Sequence, residues 1–200
     1  MSQIQVPKGW NIEPLKNMCD FYVPMRDKPQ KFDGDVPWLR IDEIKSKFID
    51  GHNAKHRVSE EIIEKMKLRV YPVGTVLCSC SATIGVCAIT RAEVITNQTF
   101  IGVYPKTKIF NEYLYYYLIS KVKDLTKLGK GTTISYISRD KFENLNILFP
   151  PLETQKKIVQ ILDKKFAEWD RYKHQIESIE KQFQNTKKSL DHIKIGRAHV

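Results

Sequence analysis

Residues 129–158, GKGTTISYISRDKFENLNILFPPLETQKKI, join several kinds of local structure in a short space. The segment begins with a basic, glycine-rich turn and continues through a short strand, a helical stretch capped by Ser138 and the apolar strand NLNILFP. Pro150 and Pro151 then stiffen the junction to a long charged segment, because proline fixes its own φ angle. This order predicts a compact domain over residues 1–152 that leads directly into a long helix over residues 153–194.

The segment 153–194 carries the apolar pattern of a left-handed coiled coil, in which apolar side chains alternate spacings of three and four. A helix over residues 153–193 would measure roughly 60 Å at 1.5 Å per residue. The sequence offers this seam no second helix, so we expect a partner helix from elsewhere and a role in spacing or dimerisation. The predicted seam consists of Trp169, Tyr172, Ile176, Ile179, Phe183, Leu190 and Ile193.

The last six residues, 195–200, abandon the heptad pattern and read IGRAHV. The same string is encoded by a common sequencing adapter in one reading frame. We therefore interpret residues 195–200 as a non-native tail and expect the natural gene to continue beyond this point.

Short strands and helices mix within residues 1–152. Runs of β-branched and apolar residues over 70–90 and 93–105 are typical of strands. Leu114 and Leu118 belong to a helical repeat, and Ser59 is placed to cap another short helix. Because strands and helices do not alternate strictly, the pattern favours an α+β (irregular α/β) domain.

Charge and composition indicate the kind of partner. Lys and Arg number 33 against 23 Asp and Glu, which gives a net charge of +10 and makes a nucleic-acid partner a reasonable expectation. No apolar run is long enough for a membrane span and no secretory signal is visible, so we expect a cytoplasmic protein. The four cysteines fit that compartment as reduced thiols, and Cys78, Cys80 and Cys87 lie in an apolar, strand-like region.

One pattern suggests catalysis. Asp35, Glu43 and Lys45 imitate the acid and E-x-K spacing of metal-dependent nucleases, although such a trio arises easily by chance in a chain with 28% charged residues. Nothing else in the sequence assembles a metal site or a catalytic constellation. We therefore expect a non-catalytic protein and keep the nuclease as an alternative.

Taken together, the motifs resemble the DNA-specificity (S) subunit of type I restriction-modification enzymes. The resemblance covers residues 7–194, one target-recognition domain and the helix that follows it. It differs at Thr154, where the family commonly has Glu before the Gln of its Pro-Pro-Leu-x-Glu-Gln segment. The motifs that carry the resemblance are PKGW, VPWLRIDEI, PVGTVLCSCSATIGVCAI, TNQTFIGVYP, YLYYYL and GKGTTISYISRDKFENLNILFPPLETQKKIVQIL.

The resemblance implies a non-catalytic subunit that binds double-stranded DNA. In the family, two recognition domains are held apart by two long antiparallel helices, and each domain reads one half of a split target. Separate methyltransferase (M) and restriction (R) subunits carry the chemistry, so S-adenosylmethionine, ATP and Mg would belong to those partners and no cofactor to this chain. The second recognition half would lie in the same full-length chain or in a homodimer, and a homodimer predicts a palindromic target.

The resemblance also suggests which polar and basic residues contact DNA. The predicted backbone contacts are Lys130, Thr132 and Thr133, with Arg40, Lys55 and Arg57 on the same basic face. The predicted base-reading residues are Ser81, Thr83, Asn97 and Gln98. For Asn97 and Gln98 the alternative is that their amides satisfy backbone groups instead.

A third interpretation from a different class stays open. The heptad seam fits a coiled-coil adaptor that binds proteins and touches no DNA as well as it fits an S subunit. Association that is insensitive to salt, without retention on DNA, would favour the adaptor.

Overall fold

The computed structural model describes residues 6–24, 28–80, 83–122, 124 and 137–197, with side chains of the last helix described to residue 188. The chain divides into two compact units, Met1–Lys157 and Ile158–Val200. Within the described ranges, no helix combines the length and the apolar character that crossing a membrane requires.

Among the described residues of the first unit, the β-strands form three sheets, and the three-stranded one is called the small sheet below. The five-stranded sheet has the order β2-β9-β6-β7-β4, the three-stranded sheet the order β5-β3-β8, and β1 pairs with β10. All pairings are antiparallel except β3 with β8 and β4 with β7, which are parallel. The strands are β1 (Asn11–Pro14), β2 (Cys19–Tyr22), β3 (Val36–Leu39), β4 (Phe48–Ile49), β5 (His56–Val58), β6 (Val76–Ser79), β7 (Cys87–Thr90), β8 (Ile95–Thr96), β9 (Phe100–Pro105) and β10 (Asn146–Phe149).

Among the described residues, four short helices with defined bounds accompany these sheets and one long helix follows them. A 3-10 turn, Ile41–Glu43, connects β3 to the next loop. The mixture confirms the predicted α+β domain followed by a long C-terminal helix. The helices are α1 (Leu15–Met18), α2 (Glu60–Met66), α3 (Asn111–Ser120), α4 (Arg139–Glu143) and α5 (Leu152–Arg197).

The neighbouring strands β6 and β7 and the first four residues of β9 are buried along their length, which explains their continuous apolar runs. Successive side chains of a strand point to opposite faces, and in β6 Val76 and Cys78 join one core cluster while Leu77 joins another. The first cluster packs the sheet against α3 through Leu114 and Leu118, both fully buried. The second cluster contains Tyr71 and joins Leu39 of the small sheet to Leu77 and Phe100 of the five-stranded sheet.

The predicted serine caps lie at the right positions but do not act as predicted. Ser59 and Ser138 are the N-cap residues of α2 and α4, yet neither side chain makes a capping hydrogen bond. Their carbonyls instead accept the helical N–H groups of Ile63 and Phe142. The two serines therefore predicted where α2 and α4 begin. They did not predict the side-chain capping bond, because that bond depends on the rotamer of the serine.

All four cysteines are buried free thiols, including Cys19. Cys78 and Cys87 are cross-strand partners in β6 and β7, and their sulfur atoms lie 3.3 Å apart. Burial raises the pKa of the Cys19 and Cys80 thiols to about 12. Thiols of this kind behave as small apolar side chains and are poor nucleophiles.

We expect a maleimide to label the native chain at neutral pH at least about a hundredfold more slowly than the chain unfolded in guanidinium, because only the thiolate reacts. Fast labelling of native thiols would contradict the burial.

The free energy of unfolding should also fall as pH rises above about 9, since the unfolded chain then releases thiol protons that the folded state retains. Calorimetry between pH 7 and 10 measures this effect.

Candidate nucleic-acid interface

A cleft of about 350 Å³ lies where β3 and β8 of the small sheet end. Trp38 and Ile95 form its apolar floor, and Lys28, Arg40 and Arg69 line it with positive charge. The turn of residues 97–99, which connects β8 to β9, forms another part of its wall. Parallel pairing of β3 with β8 brings these segments side by side, since Trp38 is opposite Ile95. The result is a basic cleft lined with side-chain amides.

The turn at residues 97–99 is held by hydrogen bonds from several directions. The Asn97 side-chain oxygen accepts both the backbone N–H and the hydroxyl of Thr99. Thr99 O accepts the Cys80 N–H at 2.7 Å. At the start of the turn, the hydroxyls of Thr96 and Tyr71 are 2.9 Å apart and hydrogen-bonded in the core. The Asn97 amide therefore satisfies a backbone group, as the alternative interpretation of this residue proposed. The neighbouring Gln98 is exposed.

Described residues next to two other segments with predicted site residues contact one another and the end of β6. The Ile137 N–H donates to Cys80 O at 2.8 Å, so the residue that follows the 125–136 segment is tied to the end of β6. Val122 packs against Gly85 in the β6–β7 connection, where an added Cβ would lie 2.4 Å from a Val122 methyl. Thr83 is exposed in that connection. The four remaining predicted residues of these segments, Ser81, Lys130, Thr132 and Thr133, lie outside the described residues.

The three residues of the predicted basic face, Arg40, Lys55 and Arg57, make different kinds of contact. The Arg40 side chain is half exposed and lies 3.5 Å from Asp42, whose other oxygen is 4.0 Å from the Lys55 ammonium. Such exposed pairs are weak and leave both cations available. Arg57 differs, because its guanidinium donates to the carbonyls of Asp35 at 2.7 Å and Gly51 at 3.0 Å. The contacts of Arg57 position a loop, and its role at DNA stays a prediction.

Sequence reasoning missed Lys28 and Arg69. The Lys28 ammonium lies 5.7 and 5.8 Å from the ring centres of Phe32 and Trp38, within reach of a cation–π interaction. Arg69 is exposed at the end of the loop after α2. No motif connects these residues with Gln98. They share its cleft because Lys28 lies beside Trp38 of β3, β3 pairs with β8, and Tyr71, two residues after Arg69, pairs with Val94 just before β8.

One member of the nuclease trio, Glu43, is engaged in backbone contacts. Both carboxylate oxygens of Glu43 accept backbone N–H groups, from Arg40 at 2.8 Å and Lys55 at 2.9 Å. Glu43 thereby fixes the loop that presents these two cations. In the part of the chain that the structure describes, no group of three His, Cys, Asp or Glu side chains could hold a metal ion.

The second unit exposes the predicted seam. The exposed fractions of five seam residues range from 55% for Tyr172 to 67% for Phe183. Leu190 and Ile193 belong to α5, and their side chains lie outside the described part. The five described residues are Trp169, Tyr172, Ile176, Ile179 and Phe183, and a row of this size on one helix is typical of a surface that binds another helix.

A family comparison and individual relatives all point to one group of proteins, the type I restriction specificity subunits. The family described as type I restriction modification DNA specificity domain matches residues 7–181. The MjaIX specificity subunit of Methanocaldococcus jannaschii is 27% identical over 164 residues, which cover 79% of this chain and 38% of that protein. A putative specificity subunit of Haemophilus influenzae, S.HindORF215P, is 32% identical over 137 residues, 66% of this chain and 33% of that protein. The chain thus spans well under half the length of these relatives.

Solved structures share the fold. The HsdS subunit from Thermoanaerobacter tengcongensis superimposes with a TM-score of 0.62 at 20% identity, over 84% of this chain and 40% of that one. A chain from a structure described as the assembly and conformational transition of the type I R-M system gives a TM-score of 0.67 at 21% identity, with the same coverage. These likenesses establish the architecture.

Proposed function

Because the chain belongs to the type I restriction-modification DNA specificity family, we propose that it reads one half of a split DNA target and docks the subunits that act on that DNA. The observation that carries this proposal is the cleft that Arg40, Arg69 and Lys28 line together with the exposed Gln98. Cations attract phosphate groups without regard to sequence, whereas an amide can distinguish base edges. The chain itself contributes recognition, and the family relatives are named specificity subunits rather than catalytic ones.

The proposed partners follow from the same assignment. An M subunit would methylate adenine with S-adenosylmethionine and an R subunit would use ATP and Mg, so this chain would bind none of these cofactors. The exposed seam of α5 would pair with a second long helix, from a second recognition half or from another copy of this chain. We place this assembly in the cytoplasm with the DNA it reads.

Co-expression tests the proposal directly. The chain, ended at Lys194, is produced with the M subunit encoded beside it, and N6-methyladenine is mapped in the host DNA. We expect a new split motif, and a palindromic motif would mean that two copies pair through the seam. Failure of the two proteins to associate would contradict the S-subunit role.

Charge reversal tests the interface itself. We expect the double variant Arg40→Glu and Arg69→Glu to weaken binding to all duplexes by about tenfold or more and to flatten the salt dependence by about two units. A fluorescence-anisotropy titration at several salt concentrations measures both quantities. The matched control is Lys8→Glu with Lys108→Glu, two exposed lysines outside the cleft that give the same change in net charge.

Equal loss of affinity in the two double variants would show that net charge alone matters and would remove the cleft from the interface. Salt-insensitive self-association, with no retention of the wild-type chain on DNA, would instead favour the coiled-coil adaptor.

A further inference from the structure

We infer that Gln98 reads the major-groove edge of an adenine, and that Asn97 beside it is a positioning residue that contacts no base. The inference rests on the proposed DNA-binding function and makes it specific. It assigns one base to one side chain among the polar residues at the cleft.

Gln98 has the chemistry and the freedom that this contact needs. It is exposed at the tip of the 97–99 turn, and no described residue hydrogen-bonds its side chain. Its amide therefore presents one donor group and one acceptor oxygen. Adenine presents the complementary pair, an N7 acceptor beside an N6 amino donor, and glutamine binds this pair with two hydrogen bonds.

Asn97 also carries an amide, but its side-chain oxygen is already engaged in hydrogen bonds. Its side-chain oxygen accepts the N–H and the hydroxyl of Thr99 within the turn. An oxygen engaged twice cannot also accept from the amino group of adenine without releasing the turn. The same contacts hold the backbone on either side of Gln98.

The turn that presents Gln98 is fixed to the scaffold at both ends. The Cys80 N–H and thiol both donate to Thr99 O, at 2.7 and 3.2 Å, and the Cys80 thiol also lies 3.8 Å from Gln98 O. Tyr71, fully buried, bonds the Thr96 hydroxyl. A side chain on a rigid turn loses little backbone entropy on binding, which favours specific contacts.

Charge around the cleft would bring a duplex to this amide. Lys28, Arg40 and Arg69 line the same 350 Å³ cleft as Gln98. Phosphate contacts of such cations fix the register of a protein on DNA but carry no sequence information. The neutral Gln98 amide shares the cleft with these cations, and it is a group that can select a base.

The experiment is a selection of random-sequence duplexes by the purified 200-residue chain, followed by sequencing of the bound fraction. Wild type should prefer adenine at one position. Gln98→Ala should lower the preference at that position by roughly 5- to 100-fold and leave the other positions unchanged. Gln98→Glu should move the preference to cytosine, because a carboxylate accepts from the cytosine N4 amino group. Gln160→Glu, an exposed glutamine of α5, is the control for added charge.

Asn97 variants test the positioning role. Asn97→Ala should blur the preference at the same position without creating a preference for another base. Asn97→Asp keeps the oxygen that Thr99 requires and should restore the preference at that position, although overall affinity falls. A new base preference in either Asn97 variant would make Asn97 a reader and overturn the assignment.

The outcomes separate this inference from the proposed function. A wild-type chain that binds duplexes without any sequence preference, or Gln98 variants that keep the wild-type preference, would overturn the inference while DNA binding stands. A wild-type chain that binds no duplex, alone or with the M subunit, would overturn the proposed function and the inference with it.

Discussion

Replacing Gln155 with leucine is expected to lower the free energy of unfolding by about 3–5 kcal/mol, because the change strips three hydrogen bonds from a fully buried side chain. The Gln155 oxygen accepts the Phe110 N–H at 2.8 Å. Its nitrogen donates to Lys108 O at 2.9 Å and to Pro150 O at 2.8 Å. Leucine fills a similar volume but leaves the three backbone groups without partners, and such groups are costly when they are buried.

Gln155 ties the first turn of α5 to the loop before α3 and to the double proline, all within the first unit. This is the glutamine of the Pro-Pro-Leu-x-x-Gln segment, and the structure gives it a structural task. Thr154, the residue that departs from the family pattern, is exposed and leaves this network intact.

Urea unfolding followed by tryptophan fluorescence measures the effect, since Trp38 is buried in the domain. Gln160→Leu makes the same exchange at an exposed position of the same helix and should change the stability by less than about 0.5 kcal/mol. Equal stability of the two variants would mean that water replaces the lost partners.

Gly102→Val is expected to cost about 3 kcal/mol or more, because it forces a side chain into the ring of Tyr71. Gly102 lies in the middle of β9, opposite Leu77 of β6 and Tyr22 of β2. A Cβ at this position would lie 2.4 and 2.5 Å from two ring carbons of Tyr71. Neither the central strand nor the buried ring has room to move.

The same substitution should disturb the candidate interface, since Tyr71 holds Thr96 at the start of the 97–99 turn. A double-mutant cycle with Tyr71→Ala tests the cause. If the ring is the obstacle, the double variant should be more stable than the sum of the single effects by about 1–3 kcal/mol. Strict additivity would show that the cost arises from the strand backbone instead.

Several features were predictable from local sequence because local physics produces them. The apolar runs that contain β6, β7 and β9 and the heptads of α5 follow from side-chain periods of two and 3.6, which do not depend on distant residues. The double proline marked the junction, and the long helix begins at Leu152. The family itself was identified from the order of short motifs.

The predicted site could be only partly assembled from sequence. The structure places Arg40, Asn97 and Gln98 around one cleft and Lys55 on a neighbouring loop fixed by Glu43. It engages Arg57 in loop contacts. Whether these residues touch DNA stays a prediction.

The class of the domain, the long helix with its apolar seam and the family could be predicted from sequence, because each rests on short motifs and local patterns and on their order along the chain. Tertiary structure alone decided which polar groups share a cleft and which are already engaged. Lys28, Arg69 and Gln98 line one cleft through contacts between segments far apart in sequence. β3 pairs in parallel with β8, Lys28 lies beside Trp38 of β3, and Tyr71, two residues after Arg69, pairs with Val94 just before β8. Asn97 and Gln98, adjacent and chemically alike, differ because one side chain is bonded into its turn and the other is exposed. Local patterns cannot encode that distinction, since it depends on where a folded backbone leaves its donors and acceptors.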